Sequence, residues 1–132
     1  MNIEKEISFS YYFKKGLEEQ NKKEYSKAIY YYKKSIECNK TLKNYNSYLN
    51  IAKCYIQTKI YQIAIKYLES AIKINPDEQI AYIEIGNTYF IKSDYYHAML
   101  YYHKALQLEN NEIIQDKLFY AKKLIEYMSS NN

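Results

Sequence analysis

This chain contains few residues of the types that bind metals or form disulfides, and their spacing in the sequence keeps them apart from one another. His97 and His103 are six positions apart on one predicted helix, so their rings point to different sides and cannot share a metal ion. We expect both to be solvated. Cys38 and Cys54 are too few and too unpatterned for a disulfide framework, and we interpret them as buried free thiols. No metal site is predicted.

Groups that could catalyse a reaction are equally sparse. No serine or cysteine has a plausible partner base in the sequence, so a nucleophilic mechanism lacks support. Gly16 and Gly86 stand alone and are interpreted as packing residues, so no phosphate-binding loop is present. Adjacent carboxylates such as Glu18 and Glu19 diverge on a helix rather than converge. We predict a protein that is not an enzyme and that needs no cofactor.

The elements that must position any functional residue are short amphipathic helices. Two runs place large and small apolar residues on one helical face, at i, i+3, i+4 and i+7 and then at i, i+4 and i+7: Tyr48, Ile51, Ala52 and Tyr55, followed by Ala64, Leu68 and Ala71. Pro76 ends the second run. Because alanines lie among the large residues, two helix axes can approach to about 8–10 Å. The pattern predicts a helical hairpin.

The hairpin pattern recurs 34 residues later, and a weaker copy precedes it. The seven positions are repeated as Tyr82, Ile85, Gly86, Tyr89, Ala98, Tyr102 and Ala105. Tyr12, Gly16, Ala28, Tyr32 and Ser35 form the weaker copy. This period and this order of aromatic, aliphatic, small, aromatic, small, large and small residues resemble the tetratricopeptide repeat (TPR), whose period is about 34 residues. The resemblance covers residues 9 to 112.

The resemblance implies an all-α, right-handed TPR solenoid of three helix-turn-helix repeats plus a C-terminal capping helix. We expect a single domain over residues 1–132, with repeats at about 9–42, 45–78 and 79–112. The first (A) helices are expected near 9–22, 45–58 and 79–92, and the second (B) helices near 25–39, 61–74 and 95–108. Residues 1 to 10 either extend the first helix or fray.

The segment after Glu112 departs from the repeat pattern. One apolar seam runs along it: Ile114, Leu118, Ala121, Ile125 and Met128. Asp116 stands where a repeat has its leading aromatic residue, and Tyr120 stands at the small position. We therefore predict a capping helix at about 113–128 that covers the third repeat, followed by a disordered tail from Ser129 to Asn132.

The turns inside the three hairpins lack the glycine that the family usually has. They contain Lys23-Glu24, Lys59-Ile60 and Ser93-Asp94. If the residue at the glycine position is left-handed, each substitution costs about 1 kcal/mol relative to glycine.

Composition and charge bear on the class of partner. All 19 basic residues are lysine, the net charge is +4, and residues 11 to 44 carry nine lysines against four glutamates. Tyrosines interleave with these lysines, as in some nucleic-acid-binding surfaces. Lysine, however, lacks the planar fork of arginine, so nucleic-acid binding is the weaker alternative. No apolar window is long enough to span a membrane and no signal peptide is recognisable, so we expect a cytoplasmic protein.

The resemblance implies a non-catalytic protein–protein interaction module, an adaptor or co-chaperone-like scaffold that binds a peptide segment of a partner in its concave groove. A chaperone for a secreted protein is an alternative. In this sequence the family's concave positions, here called the predicted groove residues, are Phe13, Leu17, Leu49, Asn50, Lys53, Ile56, Ile80, Ile83, Glu84, Asn87 and Phe90.

Most of the predicted groove residues are apolar, so we expect an apolar or amphipathic peptide. Asn50 and Asn87 would bond its backbone, and Lys53 would disfavour basic ligands. Alternatively, the N-terminal segment, the capping helix or a second copy of the chain covers the stripe, so a homo-oligomer is possible.

Family members that bind acidic chaperone tails clamp the terminal carboxylate with Lys and Asn in the first A helix, Asn in the second, and Lys and Arg in the third. Asn50 matches this pattern. Phe13, Leu17, Ile80 and Glu84 stand at the other four positions, and Glu84 would repel a carboxylate. The resemblance therefore implies that no carboxylate clamp is present.

Overall fold

A computed structural model describes residues 2–39 and 41–132. These residues form seven α-helices and no strand. The helices are α1 (Ile3–Asn21), α2 (Tyr25–Cys38), α3 (Asn44–Gln57), α4 (Tyr61–Ile74), α5 (Gln79–Ile91), α6 (Tyr95–Leu108) and α7 (Glu112–Ser130). The predicted all-α architecture of three helical hairpins followed by one further helix is confirmed, with helix bounds within two residues of those predicted except at the start of α1.

Residues near both ends of the chain are helical: the N-terminal segment extends the first helix, which is one of the two expected alternatives, and α7 continues beyond its expected end. α1 begins at Ile3, where the Asn2 side chain accepts a hydrogen bond from the Glu4 backbone N–H at 3.0 Å and caps the helix. At the other end, the expected disorder from Ser129 onward is wrong for Ser129 and Ser130. The Ser130 hydroxyl donates to the Glu126 carbonyl at 2.9 Å, so a local side-chain bond supports this last turn.

The turn inside each hairpin is closed by the same motif. Lys23, Lys59 and Ser93 have φ of 62°, 62° and 61°. In the middle hairpin the Ile60 N–H donates to the Tyr55 carbonyl at 2.8 Å and the Lys59 N–H donates to the Ile56 carbonyl at 3.0 Å. These two bonds define a Schellman motif, and the other two turns have equivalent bonds. The left-handed conformation considered from the sequence is therefore present in all three turns.

The chain divides into two compact units, one ending at Asn75 and the other beginning at Pro76. In the first unit, α1 packs on α2, α2 on α3, and α3 on α4. The cluster of Ala28, Tyr32, Ile51 and Cys54 is fully buried in this unit. The hydroxyls of Ser35 and Ser47, 2.8 Å apart, link α2 to α3 by a buried hydrogen bond. Cys54 is buried as expected, whereas Cys38 is only half-buried because it lies in the last turn of α2.

In the second unit, α5 packs on α6 and α6 packs on α7. Its core cluster combines α6 and α7 residues, namely Ala98, Tyr102, Ala105, Ile114 and Leu118. The first three residues of the predicted α7 seam are buried, whereas Met128 near its end is exposed. Gln79 at the start of α5 donates from Nε2 to the carbonyls of Ala105 at 2.8 Å and Glu109 at 2.6 Å, which satisfies the end of α6.

Candidate ligand-binding cleft

A cleft of about 730 Å³ lies among α5, α6 and α7 of the second unit. One face of α5 supplies four of its lining residues, α6 supplies one, and the first three turns of α7 supply three. In chain order they are Glu84, Asn87, Phe90, Ile91, Tyr102, Asp116, Lys117 and Tyr120. The i, i+3, i+6 and i+7 spacing on α5 and the i, i+1 and i+4 spacing on α7 place each set on one side of its helix. Below, this space is called the cleft.

The Tyr102 side chain reaches the cleft because α5 has a glycine opposite it. A Cβ atom added to Gly86 would lie 2.6 Å from the Tyr102 ring, which is closer than any van der Waals contact allows. The Tyr102 hydroxyl donates a hydrogen bond to Asn87 Oδ1 at 2.8 Å. Burial raises the pKa of Tyr102 to about 12, and the nearby Glu84 charge contributes to the same shift. Tyr102 is thus a neutral hydrogen-bond donor at physiological pH.

Asn87 joins the two sides of the cleft. Its Oδ1 also accepts a hydrogen bond from Lys117 Nζ on α7, at 2.9 Å. The carbonyl oxygen of this side chain therefore has two donors, Tyr102 and Lys117, which fixes the orientation of the amide. The Nδ2 group is the part of Asn87 left to donate to a ligand.

The cleft combines apolar walls with two acidic groups. Phe90 and Tyr120 stack with their ring centroids 6.1 Å apart and their planes at 30°. Ile91 extends this apolar surface, and both Ile91 and Tyr120 are exposed. Among the residues that the structure describes, neither Glu84 nor Asp116 forms an ion pair. An amphipathic ligand would match this surface in both its apolar and its charged parts.

Three of the eleven predicted groove residues, Glu84, Asn87 and Phe90, line the cleft. Ile83 does not line it and packs half-buried against the core of the second unit. Ile80, on the same helix, is exposed outside the cleft.

The predicted groove residues of the first unit are covered to different extents. Phe13 stacks on Phe9 at 5.8 Å and contacts the Tyr32 ring at 5.6 Å, so it packs against the core cluster of this unit. Leu17 is exposed. The side chains of Asn50, Lys53 and Ile56 on α3 are half-buried.

Leu49 requires a correction. We expected it in an open apolar stripe, but it is 5% exposed and belongs to the core. α3 packs against both α2 and α4, so more of its circumference is covered than the repeat pattern indicates.

The sequence prediction missed the other five cleft residues. The repeat pattern marks Asp116 and Tyr120 only as departures from the repeat, and it gives Tyr102 a packing position. The i, i+4 spacing of Asp116 and Tyr120 was a usable signal, because these two residues must share one side of a helix whose opposite side is the buried seam.

The histidines are placed as expected. Both are exposed on α6, and His97 Nδ1 lies 2.8 Å from Asp94 Oδ2 while its ring stacks on Tyr89. Within residues 2–39 and 41–132, no three His, Cys, Asp or Glu side chains converge in a way that could hold a metal ion. Over the same residues, none of the helices combines the length and the apolar character needed to cross a membrane.

Comparison with known families identifies the repeats. Residues 45–78 and 80–112 match the family model of the tetratricopeptide repeat, and the two matches span 67 of the 132 residues. The chain belongs to the tetratricopeptide repeat family. The matched stretches are the predicted second and third TPRs, and the α1–α2 hairpin before them has the same left-handed turn.

A curated relative extends the likeness to most of the chain. Small glutamine-rich tetratricopeptide repeat-containing protein 2 of Mycosarcoma maydis is 30% identical over 118 residues. This alignment covers 89% of the chain and 33% of the relative. The TPR chain thus spans about a third of the length of that curated relative.

Solved TPR structures share the fold. The TPR2AB-domain:pHSP90 complex of yeast Sti1 has a TM-score of 0.83 at 22% identity, covering 93% of this chain and 49% of that chain. The first TPR of Spaghetti (RPAP3), bound to the HSP90 peptide SRMEEVD, has a TM-score of 0.79 at 22% identity, covering 90% of this chain and 94% of that chain. The TPR solenoid fold predicted from the sequence is confirmed by this likeness.

Proposed function

We propose that this TPR protein is a non-catalytic interaction module, an adaptor or co-chaperone-like scaffold that binds a peptide segment of a partner protein in the cleft. The observation that carries the proposal is the cleft itself. Its volume of about 730 Å³ is in the range of sites that hold one or a few side chains of a ligand.

The family and its relatives support binding rather than catalysis. The names of two structural neighbours state that they are complexes with HSP90 or its peptide, so the same fold holds peptides in other proteins. The residues that line the cleft include no serine, cysteine or histidine, and its carboxylates face an apolar surface. Such a lining suits recognition, because exposed aromatic side chains supply contact area at little entropic cost.

Replacing the two exposed apolar side chains of the cleft tests the proposal. Ile91 and Tyr120 are 54% and 59% exposed, so Ile91→Ala combined with Tyr120→Ala should leave the helices intact. Purified wild-type protein should retain a partner from a lysate of the source organism, and the cleft variant should retain much less. Mass spectrometry of the bound material measures the difference, and circular dichroism checks the fold.

A matched control variant lies on the same part of the molecule. Ile113 and Phe119 of α7 are 67% and 61% exposed and do not line the cleft. Ile113→Ala with Phe119→Ala removes a similar apolar area, and this variant should retain the partner as wild type does. If both variants lose the partner equally, or if wild type retains none, the cleft is not the binding site.

A further inference from the structure

We propose that the cleft recognises a cationic amphipathic peptide, in which an aromatic or large aliphatic side chain is followed or preceded by lysine or arginine. The apolar side chain would lie against Phe90, Ile91 and Tyr120. The cationic group would bind the carboxylates of Glu84 and Asp116. This inference rests on the proposed function and specifies the ligand of the same cleft.

The apolar part of the ligand is indicated by the walls. Phe90 is held from two sides, by Tyr95 with ring centroids 5.1 Å apart and by Tyr120 at 6.1 Å. These contacts fix the rings before a ligand arrives, so little side-chain entropy is lost on binding. Ile91 and Tyr120 leave an exposed apolar edge that a bulky side chain would cover.

The sign of the ligand charge follows from the balance of the charged groups that line the cleft. Lys117, whose ammonium also lines the cleft, donates to the neutral carbonyl oxygen of Asn87 at 2.9 Å. Glu84 and Asp116 have no ion-pair partner among the described residues. The lining therefore carries two carboxylates against one ammonium, and a cation complements it.

The net charge of the second unit has the same negative sign as the net charge of the residues that line the cleft. From Pro76 onward the sequence contains five lysines and eight acidic residues, a net charge of −3. The remaining residues carry 14 lysines and seven acidic residues. A cationic peptide is therefore attracted toward the unit that contains the cleft, which favours its encounter there.

Three short blocked peptides test the inference. Two have phenylalanine at the centre, flanked by lysines in one and by glutamates in the other. The third keeps the lysines but replaces phenylalanine with serine. NMR titration of the ¹⁵N-labelled full chain should show amide shifts at Asn87, Ile91, Lys117 and Tyr120 with the lysine–phenylalanine peptide. The glutamate and serine peptides should bind roughly fivefold to tenfold more weakly.

A charge-neutralising variant tests the role of the two carboxylates. Glu84→Gln with Asp116→Asn should weaken binding of the lysine–phenylalanine peptide by roughly fivefold to tenfold and leave the glutamate peptide unaffected or slightly stronger. Glu109→Gln with Glu112→Gln is the control, because it changes the net charge equally at exposed positions outside the cleft. This control should bind almost as wild type does.

The outcomes separate the inference from the proposed function. If the lysine and glutamate peptides bind the cleft equally, or the glutamate peptide binds more tightly, the inferred ligand charge is wrong, but peptide binding remains. If no peptide shifts the cleft amides while the Ile91→Ala/Tyr120→Ala variant still loses a partner that the Ile113→Ala/Phe119→Ala control retains, the inferred ligand chemistry is wrong and the proposed function stands. Equal weakening by the control variant would also overturn the role of Glu84 and Asp116.

Discussion

The residue that closes each hairpin turn has a backbone conformation that favours glycine. Lys59 has a φ of 62°, and a side chain in this region costs about 1 kcal/mol relative to glycine. We predict that Lys59→Gly raises the free energy of unfolding by about that amount, as measured by urea denaturation. Thr58→Gly is the control, because its φ of −92° suits any residue and a glycine there should destabilise the protein. Equal effects of the two substitutions would contradict the prediction.

The two cysteines differ in exposure, and their reactivity should differ accordingly. Cys54 is fully buried, and burial raises the pKa of its thiol to about 11, so very little thiolate forms at mildly alkaline pH. Cys38 is half-buried. We predict that iodoacetamide modifies Cys38 in the native protein and modifies Cys54 only in denaturant.

Peptide mapping by mass spectrometry measures the two sites separately. Cys38→Ser is the matched variant: it should show almost no modification in the native state and full modification of Cys54 in urea. Rapid native labelling of Cys54 in this variant would mean that α3 opens locally far more often than its packing indicates.

At the scale of single helices, the apolar periodicity indicated a helical hairpin, and the resemblance to the TPR placed the remaining helices. The bounds expected for α2 to α6 lie within one residue of those observed, because each helix buries one face against its partner. Periodicity does not reveal how many neighbours cover a helix, so Leu49 was assigned to an open stripe although it is buried. α7 was recognised by its seam, but the side that faces the cleft contains Asp116 and Tyr120, which no repeat pattern specifies.

The contact of Gly86 with Tyr102 links the residue types at two positions on neighbouring helices, and the same link is found in the first hairpin. In the first hairpin Gly16 meets Tyr32, with the same 2.6 Å approach of an added Cβ to the ring. The middle hairpin has Ala52 and Leu68 at the equivalent positions, and both are fully buried. A tyrosine on the B helix thus requires glycine on the A helix, whereas leucine leaves room for a methyl group.

This coupling predicts a compensating double variant. Gly86→Ala should cost about 1–3 kcal/mol, because the Tyr102 ring must move. Adding Tyr102→Leu should remove this clash, so the double variant should be more stable than the sum of the single effects by about 1 kcal/mol.

Urea denaturation of the four proteins gives the coupling energy directly. Combining Gly86→Ala with Tyr96→Leu is the control, because Tyr96 is an exposed residue of the same helix and its effect should simply add. Additive effects of Gly86→Ala and Tyr102→Leu would show that the ring relaxes without cost.

At the scale of the whole molecule, the family is evident from the repeat, but the ligand is not. A TPR solenoid uses the same packing positions in every member, so those positions identify the fold and carry no information about the partner. In the ligand recognition that we propose, specificity would depend on Glu84 and Asp116, which line the cleft and are not among the packing positions. For this reason the seven spaced positions predicted the helices, whereas the charge of the cleft became apparent only when α7 was seen beside α5.

The last prediction concerns the acidic chaperone tail that some relatives bind. The resemblance to members that clamp a terminal carboxylate implies that Asn50 matches one of the five clamp positions and that Phe13, Leu17, Ile80 and Glu84 stand at the others. Four cationic or amide side chains are thus replaced by three apolar ones and a carboxylate, which removes most of the attraction for an anionic terminus. We predict that the peptide SRMEEVD, which the first TPR of RPAP3 binds, shows no preference here over the same peptide amidated at its C-terminus.

Fluorescence anisotropy of labelled peptides measures this preference, and the RPAP3 domain provides the positive control for the assay. The full chain should bind the free-acid and amidated peptides equally weakly at low salt. Its overall charge of +4 attracts both peptides without a specific contact to the C-terminal group. Binding that is tight for the free acid and lost on amidation would require a carboxylate site made of other residues. The lysines outside the second unit would then be the first to examine, because the carboxylates of Glu84 and Asp116 in the cleft oppose such a ligand.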